Sequence, residues 1–194
     1  LAALLRLLAE PGETVLVEPL TYPGLRAAAA HLGVGLTPCP VDGEGMSPED
    51  LARLCARSRP KAVYLIPTHQ KPTAATMGSA RRAQVAQVCA AAGVPIIEDD
   101  AYGRLPASPL PGFAALTPHN VWRLETLAKT LTPGLRIAYL VVPRWAVADI
   151  GEAIHNLYRG GQAVEQRALA RFLDSGQLTR HARRMAPIYR ERQA

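Results

Sequence analysis

The sequence has no apolar run of the roughly 18–20 residues that a membrane-spanning helix requires. Leu1 to Leu8 is apolar but has neither a basic flank nor a cleavage site, so it does not read as a signal peptide. Cysteine is sparse: Cys39, Cys55 and Cys89 lie far apart, with no Cys-x-x-Cys pair. That excludes a disulfide framework and a thiolate metal site, and it reads as reduced, buried thiols of a cytosolic protein. Lysine is scarcer still relative to its partner. Of 22 basic residues only Lys61, Lys71 and Lys129 are lysines. Arginine serves wherever a fixed charge suffices, but only lysine can lose its proton and attack a carbonyl.

What is present is globular. A hydrophobic fraction of 48% with 20% charged residues suits a packed core, and 194 residues fit one domain of ordinary size. The net charge of +6 would suit nucleic acid or an anionic, phosphorylated cofactor. Much of the arginine falls between Arg159 and Arg192 in a helical pattern, which reads as a solvated face. Leu1 to Ala9 reads as a helix already under way, and Leu178 to Gln193 as a helix without a stop signal. Both ends therefore read as cuts through a larger protein.

Between those ends, helix and strand alternate. Strands are expected at Thr14–Glu18, Gly35–Val41, Ala62–Pro67, Pro95–Asp99, Val121–Leu127 and Arg136–Val142. Helices are expected at Tyr22–Leu32 with Gly33 as its stop, from Ser47 to Arg57, at Ser79–Ala92 ended by Gly93, and at Trp145–Tyr158 and Gln162–Asp174. Short apolar strands separated by helices indicate an α/β fold with a largely parallel sheet covered on both faces. Ligands bind such sheets at the carboxyl ends of the strands. Tyr22, His69 to Thr73, Asp99 to Tyr102 and Thr126 to Lys129 all fall there, and the Pro-rich loop Ala101 to Pro118 is expected over that edge.

Each of these groups has a chemical reading and a bland one. Lys129 follows an apolar run and precedes a Pro-Gly turn, which suits an amine in a cleft, partly desolvated and ready to form a Schiff base; a surface lysine is the alternative. Glu98-Asp99-Asp100 closes an apolar strand, and three acids there are costly to bury unpaired. They suit a magnesium ion, or a cationic ring nitrogen held by Asp99 with Tyr102 bonding the same ligand, or simply an acidic loop. His69 reads as a structural hydrogen-bonder, and Pro72 forces an extended Lys71 outward. Arg136 suits a phosphate, or is a surface charge after a turn. Taken together, these groups match a ligand with an aldehyde, a basic ring nitrogen, a phenolic oxygen and a phosphate. Pyridoxal 5′-phosphate has all four.

Four motifs carry a family resemblance. They are Leu20-Thr21-Tyr22-Pro23-Gly24, His69-Gln70-Lys71-Pro72-Thr73, Asp99-Asp100-Ala101-Tyr102, and Thr126-Leu127-Ala128-Lys129 with Arg136. In order and spacing the chain resembles the large domain of fold-type I pyridoxal-phosphate enzymes, the class I/II aminotransferases. Within them it is similar to the aminotransferase-like domain of MocR/GntR-type regulators, in which that domain follows a winged helix-turn-helix. The resemblance implies a three-layer α/β/α fold, with residues 1–144 as the cofactor-binding large domain and 145–194 as helices leading toward a small C-terminal domain.

The resemblance also implies roles. Lys129 would carry the cofactor covalently and move the substrate proton. Asp99 would pair with the protonated ring nitrogen, Tyr102 would bond the phenolic oxygen, and Tyr22 would stack on the ring. Thr126 and Arg136 would bind phosphate, and Lys71 stands where the family usually has a cofactor-binding Asn. Other departures are Ala74 and Glu125, each where a Gly is usual, and Ala128 in place of a common Ser. The family's Gly-rich phosphate segment would precede Leu1, and the arginine that takes the substrate carboxylate would follow Ala194. The implied partners are an amino acid substrate or effector, a second copy of the chain, and DNA only through a domain outside this sequence. A stand-alone aminotransferase and a truncated, inactive product are the alternative readings.

Overall fold

The computed structural model describes residues 1–106, 108–158 and 163–192. Eight strands and seven helices lie among them, with short 3-10 turns. Ala107 of the Pro-rich loop, Arg159, Gln162 and Gln193 lie outside the described residues.

The helices are α1 (Ala2–Leu8), α2 (Pro23–Leu32), α3 (Pro48–Ser58), α4 (Ser79–Ala92), α5 (Val147–Tyr158), α6 (Ala163–Asp174) and α7 (Gln177–Glu191). Their ends follow local chemistry. The Ser47 hydroxyl accepts the Asp50 amide at 3.3 Å and Pro48 opens α3, while Gly33 and Gly93 close α2 and α4 at φ of 69° and 66°. No helix among the described residues is long and apolar enough to cross a membrane.

The main sheet runs in the order β2-β1-β5-β6-β7-β8, from β1 (Thr14–Val17), β2 (Gly35–Pro38), β5 (Ala62–Leu65), β6 (Ile96–Asp99), β7 (Val121–Thr126) and β8 (Ala138–Val141). All neighbours are parallel except β8, which runs antiparallel to β7 at the edge. Two expectations change. The strand expected to reach Val41 stops at Pro38, and a separate hairpin of β3 (Val41–Asp42) and β4 (Gly45–Met46) follows. Pro38 and Pro40 lack the amides that a continuing ladder needs. The strand expected from Arg136 begins at Ala138, because the turn at Pro133–Leu135 leaves Arg136 in the left-handed region at φ 52°.

Alternating side chains divide the core. Val15, Val17, Tyr64, Ile97 and Trp122 pack on one face with α1, α2 and α5. Leu16, Val63, Leu65, Ile96 and Val121 pack on the other with α3, α4 and Phe113. All three cysteines are free and buried in this second core. A smaller third cluster joins Leu127 to Leu169 of α6 and Leu178 of α7. The architecture is thus the expected α/β/α sandwich, and its strand order reverses between β1 and β5, where open α/β sheets bind ligands.

Candidate active site

Strand alternation separates the three acids that close β6. Asp99 lies on the α1/α2 face, buried, and accepts the Tyr64 hydroxyl at 2.5 Å. Burial holds its carboxyl above the usual range, opposed by the Tyr64 and Ala101 hydrogen bonds. Tyr64 is fully buried, and burial next to Asp99 pushes its phenol far up, so it remains a donor. Glu98 and Asp100 point the other way. Asp100 pairs with Arg123, which also meets Glu125 at 2.7 Å. Glu98 accepts the Phe113 amide at 3.0 Å beside Gly112, where any Cβ would collide with Glu98 and Arg123. Arg82, 2% exposed, lies beneath them on four neutral acceptors: the carbonyls of Met77, Pro67 and Pro111 and the Thr68 hydroxyl. Among the described residues no group of three or more His, Cys, Asp or Glu that could hold a metal ion occurs, and these acids are divided between two faces.

On the Asp99 side, Tyr102 follows β6 in a turn. The Lys129 ammonium lies 5.9 Å from the Tyr102 ring centroid, and the His69 ring meets the same ring edge-on at 6.5 Å. Lys129 itself is exposed, three residues past the end of β7. Tyr22 caps α2, half exposed, and its ring occupies the space that a side chain at Gly24 would need, which accounts for the Tyr-Pro-Gly spacing. Thr126 accepts the Ala128 amide at 3.1 Å and donates to the Ile137 carbonyl at 3.3 Å. Arg136 is exposed in its left-handed turn, and Lys71 is exposed as its place before Pro72 suggests. The structure thus brings Asp99, Tyr102, Lys129 and His69 to one end of the sheet. For Lys71 and Arg136 it gives exposure without a partner contact among the described residues.

Gln70 organises the loop after β5. Its amide nitrogen donates to the Leu20 carbonyl at 2.5 Å and to Glu18 at 3.4 Å, and its oxygen accepts both the Thr73 amide and hydroxyl. Glu18 directly follows β1 at 1% exposure, and burial pushes its carboxyl up to about 7 despite the Ile66 and Gln70 hydrogen bonds. Ala74 takes φ 58°, a left-handed conformation that explains why a glycine is usual there. Glu125 is held by Arg104 at 2.9 Å and by Arg123, on the opposite face of β7 from Thr126, so it does not oppose an anion at Thr126.

The family described as aminotransferase class I and II matches residues 1–194. The chain belongs to the class I and II aminotransferase family. Among curated relatives, an uncharacterized HTH-type transcriptional regulator of Bacillus subtilis, YdeF, is 38% identical over 81% of this chain and 34% of its own length. The probable rhizopine catabolism regulatory protein MocR of Rhizobium meliloti is 31% identical over 98% of this chain and 38% of its own. Among solved structures, the α-aminoadipate aminotransferase LysN of Thermus thermophilus, complexed with N-(5′-phosphopyridoxyl)-L-leucine, superposes with a TM-score of 0.91 at 27% identity, over 98% of this chain and 50% of its own. The chain therefore spans about a third of these curated relatives' length. The expected class I/II aminotransferase fold, the MocR-type likeness and pyridoxal phosphate as the family's cofactor are borne out.

The sequence reading assigned no role to Glu18, Tyr64, Gln70, Arg82 or Arg123. A signal existed for two of them. Glu18 is a charge that directly ends the apolar run Val15-Leu16-Val17, and Tyr64 is the one polar-tipped residue in Ala62–Leu65. Arg82 and Arg123 carried none, since an arginine in a helix or an edge-side strand ordinarily faces water.

Proposed function

We propose that this chain is the pyridoxal-phosphate-binding, aminotransferase-like domain of a MocR-type regulator that senses the cofactor or an amino acid. The observation that carries this reading is the separation of the acids: among the described residues Asp99 meets only a neutral phenol among side chains, while Asp100 next to it is paired with Arg123. A buried carboxylate left without a cationic side chain suits a ligand that brings the cation.

The side chains present offer a partner for each of the cofactor's four groups. Asp99 would pair with the protonated ring nitrogen, Tyr102 would donate to the phenolic oxygen, and Tyr22 would cover a ring face. At the phosphate, Arg136 would supply N–H donors, and Thr126 its hydroxyl once that turns from the Ile137 carbonyl. Bound there, pyridoxal phosphate supplies an aldehyde and an electron-accepting ring. Lys129 would hold the cofactor through its amine, and that amine, once displaced by the substrate's own, would hold and move the proton at the substrate's α-carbon. Tyr64, donating to Asp99, would keep that carboxyl oriented toward the ring cation. Lys71, in place of the usual Asn, offers a charged donor and suits sensing better than turnover.

The rest of the reading follows from the resemblance: residues 1–144 as the large domain, 145–194 as the lead into a small domain, a homodimer, a cytoplasmic location, and DNA contact through a separate domain. The likeness to LysN favours a second reading, a stand-alone aminotransferase acting on an amino acid. Borohydride reduction of the protein with pyridoxal phosphate, followed by peptide mapping, tests the site. The expected label is on Lys129. Label on Lys71 alone contradicts the assignment. A product assay on the full-length protein then separates turnover from sensing.

A further inference from the structure

We propose that α7 is a clamp on the lysine loop, and that His181 and Tyr189 are positioning residues for Lys129. The inference rests on the reading of Lys129 as the covalent lysine. It starts from two carbonyls. After β7 the loop closes on itself through the Leu131 and Thr132 amides, which both donate to the Leu127 carbonyl, at 2.8 and 3.2 Å. The carbonyls of Lys129 and Thr130 take their hydrogen bonds from elsewhere. Tyr189 donates its hydroxyl to the Lys129 carbonyl at 2.9 Å, and His181 Nε2 lies 2.9 Å from the Thr130 carbonyl. A carbonyl accepts, so Nε2 carries the proton. Arg184 donating to His181 Nδ1 at 3.5 Å is consistent with that tautomer.

The packing agrees. Leu127, which begins the loop, belongs to neither of the two main cores. It is buried against Leu169 of α6 and Leu178 of α7, with Leu131, Ile137 and Phe172 around it. The lysine loop is therefore seated on the α6–α7 pair and not on the sheet's own cores. The lysine side chain is long and exposed, so the place of its amine depends on how firmly its own peptide is held. Two hydrogen bonds from one helix to consecutive carbonyls fix that peptide. A displacement of about 1 Å in a reacting group costs on the order of a hundredfold in rate. A shift of α7 would thus change Lys129 reactivity without touching Asp99 or Tyr102.

The test uses the full-length protein with Tyr189→Phe, His181→Ala and His181→Gln. The first readout needs no cofactor: amide hydrogen exchange across residues 128–132. The expected result is exchange about tenfold faster in Tyr189→Phe and His181→Ala, with recovery in His181→Gln, which keeps an N–H donor. The second readout is the rate of borohydride-trapped label on Lys129 with pyridoxal phosphate, measured well below the melting temperature. It should fall about tenfold in the same two variants and recover in the same third. Unchanged exchange in the loop overturns the clamp. Faster exchange spread over the whole domain with a lowered melting temperature also overturns it, since that is a general structural role. Absence of label on wild-type Lys129 overturns the cofactor reading instead, and the exchange measurement still decides the clamp.

Discussion

At the end of β6, neighbouring carboxylates meet opposite environments. On one face of the sheet Asp100 is neutralised by Arg123, which also meets Glu125, itself held by the exposed Arg104. On the other, Asp99 and Glu18 are buried with phenol, amide and backbone donors and no arginine partner among the described residues. The first face closes its charges internally and serves stability. The second holds two buried carboxyls, and under the proposed reading Asp99 would meet a cation that the ligand brings. Identical residue types in adjacent positions acquire different uses because the strand turns them to different sides.

Breaking the first face should have the largest effect. Arg123→Met leaves Asp100 buried and alone, and should cost about 4 kcal/mol in urea unfolding with an unchanged slope. The second face should show itself through pH. Glu18 has its folded value raised to about 7 from 4.5, so the unfolded chain releases this proton first as pH rises. The stability contribution is fully present below about 4.5 and is lost as pH climbs to about 7, a loss of up to roughly 3 kcal/mol. Glu18→Gln should flatten stability between those pH values; an unchanged profile would mean that the carboxyl is not held protonated. Tyr64→Phe removes the donor to Asp99 and should destabilise by about 2 kcal/mol while leaving the arginine face intact. The smallest effect is expected at the loop between the two regions. Ala74→Gly relieves a left-handed alanine and should stabilise by about 0.5 kcal/mol, read as a small rise in melting temperature.

The parts of this picture legible in the sequence were those set by local chemistry. Ser47-Pro48, Gly33 and Gly93 mark helix ends through capping and backbone freedom, and the structure places α3, α2 and α4 at those marks. The Tyr-Pro-Gly, Asp-x-x-Tyr and lysine motifs sit at strand ends as their order implied. Long-range pairing was not legible. Nothing local to Arg82 announces that it will be buried on carbonyls of two distant loops, or that Glu125 will turn to Arg104. The seating of Lys129 on α7 depends on a contact between residues 60 positions apart, which no window of sequence contains.

The most direct test of the contrast between the faces is the affinity for pyridoxal phosphate of wild type, Asp99→Asn and Asp100→Asn, measured side by side at a temperature where all three are folded. The account predicts at least about tenfold weaker binding for Asp99→Asn, the loss of a charged hydrogen bond to the ring. For Asp100→Asn it predicts a lower melting temperature with affinity within about threefold of wild type. Equal weakening by both substitutions, or unchanged binding in Asp99→Asn, would contradict it.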